Sequence, residues 1–293
     1  MHRGQLPKWA TTLVFAALLG TGCMAQVSGA PPDAEDTPRL TEVALPAAPL
    51  AGLDARLRQA TTDAAESGAE IAAAVLDRRT GQLVSNGVDA PFPIASVVKL
   101  FIADDLLLQE AEGKTELSAA DRQSLDLMLR SSDDSAAQMF WDRSGQNAVI
   151  ARIKARYGLA GTTAPHNQHW DVTQSTAGDL VRYYDKLLDG AGGLPREQAD
   201  FILGNLDRST PTGSDGYPQR FGIPEGLYGE PVAVKQGWFC CWSGANQVHV
   251  STGVIGSDRR YVMAIRSLDP TGDAEARANI TEAVRTMFPG GTI

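Results

Sequence analysis

Ser96 stands three residues ahead of Lys99 in Pro93-Ile94-Ala95-Ser96-Val97-Val98-Lys99, at the mouth of an apolar run. On a helix, residues three apart share a face. A hydroxyl is a weak nucleophile at its own pKa, and an amine held in a dry pocket can lose its proton and become the base that activates it. The chain has six lysines; only Lys99 has serine three residues before it, and only Lys235 has glycine two residues after it. Two further segments carry hydroxyl, carboxylate and amine groups: Ser131-Ser132-Asp133-Asp134, and Val234-Lys235-Gln236-Gly237-Trp238. Each also has a plain structural reading. Ser96 would cap the apolar helix, Ser132 or Asp133 would cap the next one, and Lys235 would be a surface charge on a strand.

The elements that must position these groups follow from periodicity and turn chemistry. Leu53 to Gly68 has helical spacing and ends in a glycine stop. Ile71 to Leu76 and Gln82 to Ser85 flank Asp77-Arg78-Arg79-Thr80-Gly81, the pattern of a hairpin with glycine in its turn. Val97 to Leu108 is apolar almost all round, which predicts a helix buried at the centre of a domain. Ser118 to Arg130 and Ser135 to Asp142 predict further helices, so the middle of the chain is mostly helical. Pro231 to Trp238, Gln247 to Ile255 and Arg260 to Arg266 read as an antiparallel meander, and Ala274 to Met287 as a closing helix. Strands at both ends around a helical middle imply an α+β fold, an antiparallel sheet flanked by terminal helices and docked on an all-helical lobe. The groove between them would hold Ser96.

The three motifs in this order resemble those of the class A β-lactamase and penicillin-binding protein superfamily, which carries S-x-x-K, S-D-N and K-T-G. The resemblance extends over the whole domain, through Arg220-Phe221-Gly222-Ile223-Pro224 and Asp171-Val172-Thr173. It implies Ser96 as acyl-accepting nucleophile, Lys99 as its base, Ser132 as a proton relay to the leaving nitrogen, and Lys235 with Arg220 as the grip on a substrate carboxylate. It further implies that Asp134 and Gly237 border the substrate, and that backbone N–H groups of Ser96 and Trp238 form an oxyanion hole. The expected ligands are β-lactams or D-alanyl peptidoglycan peptides, and the alternative is a non-catalytic binding lipoprotein on the same fold. The chain also departs from the pattern. Asp134 stands where the family has asparagine, Gln236 replaces a hydroxyl residue, the Ser96 to Ser132 stretch is shorter, and Gly158 to Thr176 holds no glutamate. An anion at position 134 cannot donate a hydrogen bond, and beside Lys99 it would favour the ammonium.

The ends and composition address compartment. Arg3 and Lys8 precede an uncharged run from Trp9 to Gly22, an export signal of residues 1–22. Cys23 follows directly, as in bacterial lipoprotein signals, so lipidation at Cys23 and a membrane-anchored extracytoplasmic location are expected, with soluble secretion as the alternative. The run is shorter than the ~20 residues of a bilayer span. Residues 23–50 carry five prolines among small and acidic residues, the composition of a tether, and residues 51–290 form one hydrolase-sized domain. A net charge of −9 and pI near 5.0 argue against a nucleic-acid partner. No cofactor motif is present; His166, His169 and His249 lack metal-ligand spacing and are expected to be structural. Cys240 and Cys241 are adjacent. Because a trans peptide holds neighbouring Cα atoms ~3.8 Å apart, below the usual disulfide range, two thiols are expected over a vicinal bridge. Trp238-Phe239 and Trp242 line a pocket or belong to the core.

Overall fold

The computed structural model describes residues 50–293; the export signal, Cys23 and nearly all of the tether lie outside them. Helix α1 (Leu53–Glu66) buries Leu53, Leu57, Ala60 and Ala64, a stripe at helical spacing. Gly68, beyond its end, takes φ +80° and turns the chain into the hairpin of β1 (Glu70–Asp77) and β2 (Gln82–Ser85). A two-residue strand, β3 (Phe92–Pro93), leads through a 3₁₀ turn, Ala95–Val98, into α2 (Lys99–Ala111). There follow α3 (Ala119–Arg130), α4 (Asp134–Arg143), α5 (Asn147–Tyr157), the short β4 (Gln174–Ser175) paired with β3, α6 (Ala177–Asp189) and α7 (Arg196–Leu206). After the single turn α8 (Ile223–Gly226), the chain forms β5 (Val232–Trp242), β6 (Asn246–Ile255), β7 (Tyr261–Asp269) and α9 (Asp273–Met287).

The sheet runs β2-β1-β7-β6-β5 and all its pairings are antiparallel, so the N-terminal hairpin closes against the last strand of the C-terminal meander. Side chains on a strand alternate between faces, and the alternation sorts the core into two clusters. Ala72 and Ala74 of β1 with Val262 and Ala264 of β7 face the helical lobe. Ile71, Ala73 and Val75 with Met263 and Ile265 face α1 and α9. The fold is therefore the expected α+β arrangement, with the sheet covered on both faces.

Helix α2 is the hub of the lobe. Leu100, Phe101, Ile102, Leu106 and Leu107 are buried, and so are two aspartates that the apolar pattern hid. Asp104 is paired with Arg156 and Asp105 with Arg152, the latter by two hydrogen bonds of 2.7 Å. A buried carboxylate without a partner costs several kcal/mol, so the two arginines of α5 fix α2 against that helix. The ends of helices around the site are capped by side chains. Ser118 and Asp121 form a reciprocal capping box on α3, Asp133 caps α4 through the Ala136 N–H at 2.8 Å, and Thr176 caps α6.

One expectation is corrected: Cys240 and Cys241 are joined as a vicinal disulfide. The usual Cα separation describes cysteines from separate parts of a chain, whereas a bridge between neighbours closes a ring within one dipeptide, where that range does not apply.

Candidate active site

Ser96 lies inside the 3₁₀ turn that precedes α2, and its hydroxyl caps nothing. It accepts a hydrogen bond of 2.7 Å from Lys99 Nζ one turn later. Ala95, just before it, has φ +48°, a conformation unusual for a residue with a Cβ. Lys99 is fully buried and donates to two more acceptors, the Ser132 carbonyl and Asp134 Oδ1, each at 2.6 Å. Its ammonium also stands 4.7 Å from the ring centroid of Trp170.

Ser132 is the pivot between the two amines. Its φ of +54° is strained for a serine; in this conformation its carbonyl accepts from Lys99 while its Oγ accepts from Lys235 Nζ. Asp133 alone does the capping, which leaves the Ser132 hydroxyl free of that task. Lys235 is buried on β5, and donates also to the Gln236 carbonyl at 3.0 Å. Strand alternation sends the Gln236 side chain to the other face, where its Nε2 donates to the Phe221 carbonyl at 2.6 Å.

β5 is an edge strand of the sheet and lies against the Ser96 turn. The two backbones approach closely at Gly237: a Cβ there would sit 2.6 Å from the Ile94 oxygen and 3.1 Å from the Ser96 nitrogen. The sequence signal for this contact was the glycine two residues after Lys235.

The electrostatics follow from burial. Removing Lys99 from water pushes its pKa down; the neighbouring Asp134 charge pushes it back up, and burial wins, so the net shift is downward. Lys235 falls well below the ordinary lysine value, through burial first and the nearby Lys99 charge second.

A cavity of about 300 Å³ opens beside Ser96. Asp134, Asp171 and Asp215 line it together with Trp170, Trp238 and Phe239. Trp238 donates through Nε1 to Asp215 Oδ2 at 3.2 Å, and its ring stacks on Tyr217 with centroids 4.7 Å apart. Asp215 and Trp170 were not singled out in the sequence; a turn aspartate and a loop tryptophan carry no spacing that marks them. Arg220, expected at a substrate carboxylate, is exposed and is not among the residues lining the cavity. Of the three histidines, His249 is buried, with Nε2 2.6 Å from the Tyr217 hydroxyl, and burial pushes its pKa down to about 4.

Comparison with known proteins bears on the fold and on descent. The model of the Beta-lactamase enzyme family matches residues 121–288. The proteins named "Putative lipoprotein LppW" of Mycobacterium bovis and Mycobacterium tuberculosis are 59% identical over 257 residues, covering 88% of this chain and 82% of theirs. Among solved structures, the TLA-3 extended-spectrum β-lactamase superposes with a TM-score of 0.67 at 14% identity, covering 81% of this chain and 98% of that one. PBP-A superposes at 0.66 and 20% identity, over 83% and 97%. A β-lactamase from Chitinophaga pinensis gives 0.64 at 17%, over 79% and 98%. At these identities the structures speak to the fold, while the family match and the 59% relatives speak to descent: the chain belongs to the Beta-lactamase enzyme family.

Proposed function

We propose that the protein is an exported serine hydrolase that works through an acyl-enzyme on Ser96. The observation that carries the reading is the buried Lys99 Nζ, 2.7 Å from Ser96 Oγ, with a pKa lowered by burial. A neutral amine keeps two N–H bonds, which the Ser132 carbonyl and Asp134 satisfy, and turns its lone pair to the Ser96 O–H. In the reaction Ser96 Oγ bonds to the substrate carbonyl carbon and its proton passes to Lys99. The oxyanion is received by the N–H groups of Ser96 and Trp238, each such donor being worth ~10²–10³ in rate. The C–N bond then breaks, and the leaving nitrogen takes a proton from Ser132 Oγ, which the proton that Lys99 took from Ser96 replaces. The acyl donors that the family points to are β-lactams and D-alanyl cell-wall peptides; a PBP-A variant has been solved as an acyl-enzyme with penicillin G.

The test is intact-mass analysis after exposure to a neutral fluorophosphonate and, for longer, to a penicillin. One adduct mapping to Ser96, absent from Ser96→Ala, is expected. Failure of the wild type to react with either probe sinks the catalytic reading. It would favour the alternative, a non-catalytic binding lipoprotein, for which the direct Lys99–Asp134 ion pair is the specific support.

Export and anchoring rest on the N-terminal pattern and on the name of the 59% identical relatives. No helix among the described residues is long and apolar enough to cross a membrane. We propose a lipid anchor on Cys23, holding residues 51–290 outside the cytoplasm by a tether of residues 23–50. Cys23→Ser should move the protein from the membrane fraction to the medium; unchanged fractionation overturns the anchor.

A further inference from the structure

The charge around the nucleophile is arranged differently from what a carboxylate-bearing substrate needs. Two of the lining carboxylates come from separate segments and have no salt-bridge partner among the described residues, although the charge of Asp215 is felt by the buried Lys99 and Lys235. Asp171 makes no side-chain hydrogen bond there, and Asp215 takes its bonds from the neutral Trp238 Nε1 and the Tyr217 N–H at 2.9 Å. Among the described residues, no lysine or arginine lines the cavity. The two amines lie beneath its floor and are committed: Lys99 to Ser96, Ser132 and Asp134, and Lys235 to Ser132 Oγ and the Gln236 carbonyl. Arg220 is elsewhere, and the Gln236 amide is turned to Phe221. The remaining walls are the aromatic rings of Trp170, Trp238 and Phe239, surfaces that attract a cation through the ring quadrupole.

Resting on the Ser96 acyl-enzyme reading, we propose that the cleft selects acyl donors with an ammonium group near the scissile carbonyl and disfavours donors with a carboxylate there. The ammonium lies between Asp171 and Asp215 against the indole rings. A carboxylate in the same space meets the unpaired Asp171 and Asp215, while the third carboxylate, Asp134, is already paired with Lys99, a juxtaposition that suppresses wrong partners. The substrate class is thus a cationic amide or ester, such as a peptide presenting a free amine. Penicillins and free D-alanyl carboxylates, all anions, are the slow members.

The test uses three fluorophosphonates of equal chain length ending in trimethylammonium, tert-butyl or carboxylate, so that the first two share a shape. Ser96 Oγ bonds to phosphorus, the P–F bond breaks, fluoride leaves and the serine proton passes to Lys99. Intact mass gives each rate on the full chain. The expected order is cation, neutral, anion, with a cation-to-anion ratio of at least about tenfold at low salt that shrinks as salt screens the exposed carboxylates. Asp171→Asn and Asp215→Asn should each lower that ratio. Because the ratio is internal to each protein, partial misfolding cannot mimic the result. Equal rates for all three probes, a faster anion, or an unchanged ratio in both variants overturns the selectivity while leaving the nucleophile in place. No reaction with any probe overturns the acyl-enzyme reading itself, and the selectivity with it.

Discussion

Lys99 Nζ has three acceptors within hydrogen-bonding distance, one for each proton of an ammonium, and that is the tension on which the proposed activity turns. Burial favours the free amine, and the Asp134 carboxylate favours the cation. Asp134 is largely exposed at its side chain, 69%, so water screens part of its influence. Asp134→Asn keeps an acceptor for Lys99 and removes the charge that raises its pKa. Labelling of Ser96 by the neutral fluorophosphonate should rise with pH in the wild type, with a midpoint below the ~10.4 of a free lysine. In Asp134→Asn the midpoint should move lower still and labelling near neutral pH should quicken, by about two- to tenfold given the exposure. A midpoint that moves upward, or slower labelling at every pH, would show that Asp134 serves the reaction through its charge.

Elements bring the pieces together, and here sequence and structure can be weighed against each other. The hairpin, the buried α2, the meander and the closing helix were legible because period and turn residues are local signals. The convergence of Lys99, Ser132 and Lys235 was legible only through the three motifs. What stayed hidden is geometric: the positive φ of Ser132 that gives its carbonyl and hydroxyl to different amines, the Asp104 and Asp105 ion pairs inside an apolar helix, and Asp215 reaching the cavity from a turn. Gly237 gives a test of element packing. A methyl group there collides with the Ile94 carbonyl, and because that contact is backbone it cannot rotate away. Gly237→Ala should push β5 from the Ser96 turn and cut labelling by on the order of 10²-fold, the cost of misplacing a reacting group by ~1 Å, while the strain of overpacking, about 1–3 kcal/mol, lowers the thermal midpoint by roughly 2–12 °C. Labelling at the wild-type rate would mean that β5 contributes nothing to the attack. The loop between α5 and α6 provides a second test. Asp171 is the only carboxylate in Gly158–Thr176, and it lines the cavity. A missing or ill-placed base costs ~10²–10⁴ in rate, so penicillin should give one equivalent of product at most, followed by slow release. Rapid multiple turnover, lost in Asp171→Asn, would show that this aspartate activates the hydrolytic water.

At the scale of the whole molecule, the sheet supports the cleft from behind through a buried histidine. His249 on β6 pairs with Trp238 on β5 in the strand register, and its Nε2 meets the hydroxyl of Tyr217, whose ring stacks on that same tryptophan. The Tyr217 hydroxyl in turn donates to Asp273 at the start of α9, so one cluster joins the cleft wall, the sheet and the terminal helix layer. Burial holds the imidazole neutral, with a pKa of about 4 against 6.5 when free. The unfolded chain therefore binds a proton at this site between those two values where the folded protein does not. Stability is full above pH 6.5 and declines as pH falls toward 4, by at most about 3 kcal/mol, at 1.36 kcal/mol per unit of pKa difference. In a domain of this size that corresponds to a thermal midpoint lower by roughly 6–12 °C. The window is distinct from that of Asp77, whose ion pair with Arg260 lowers its pKa to about 2 and whose contribution is lost only below the ordinary carboxylate value. Thermal melts from pH 7.5 to 4 should show the decline in the wild type and a flatter profile in His249→Gln, which cannot take up the proton. Parallel profiles for the two proteins would remove His249 as the acid-sensitive group and leave the carboxylates as the cause.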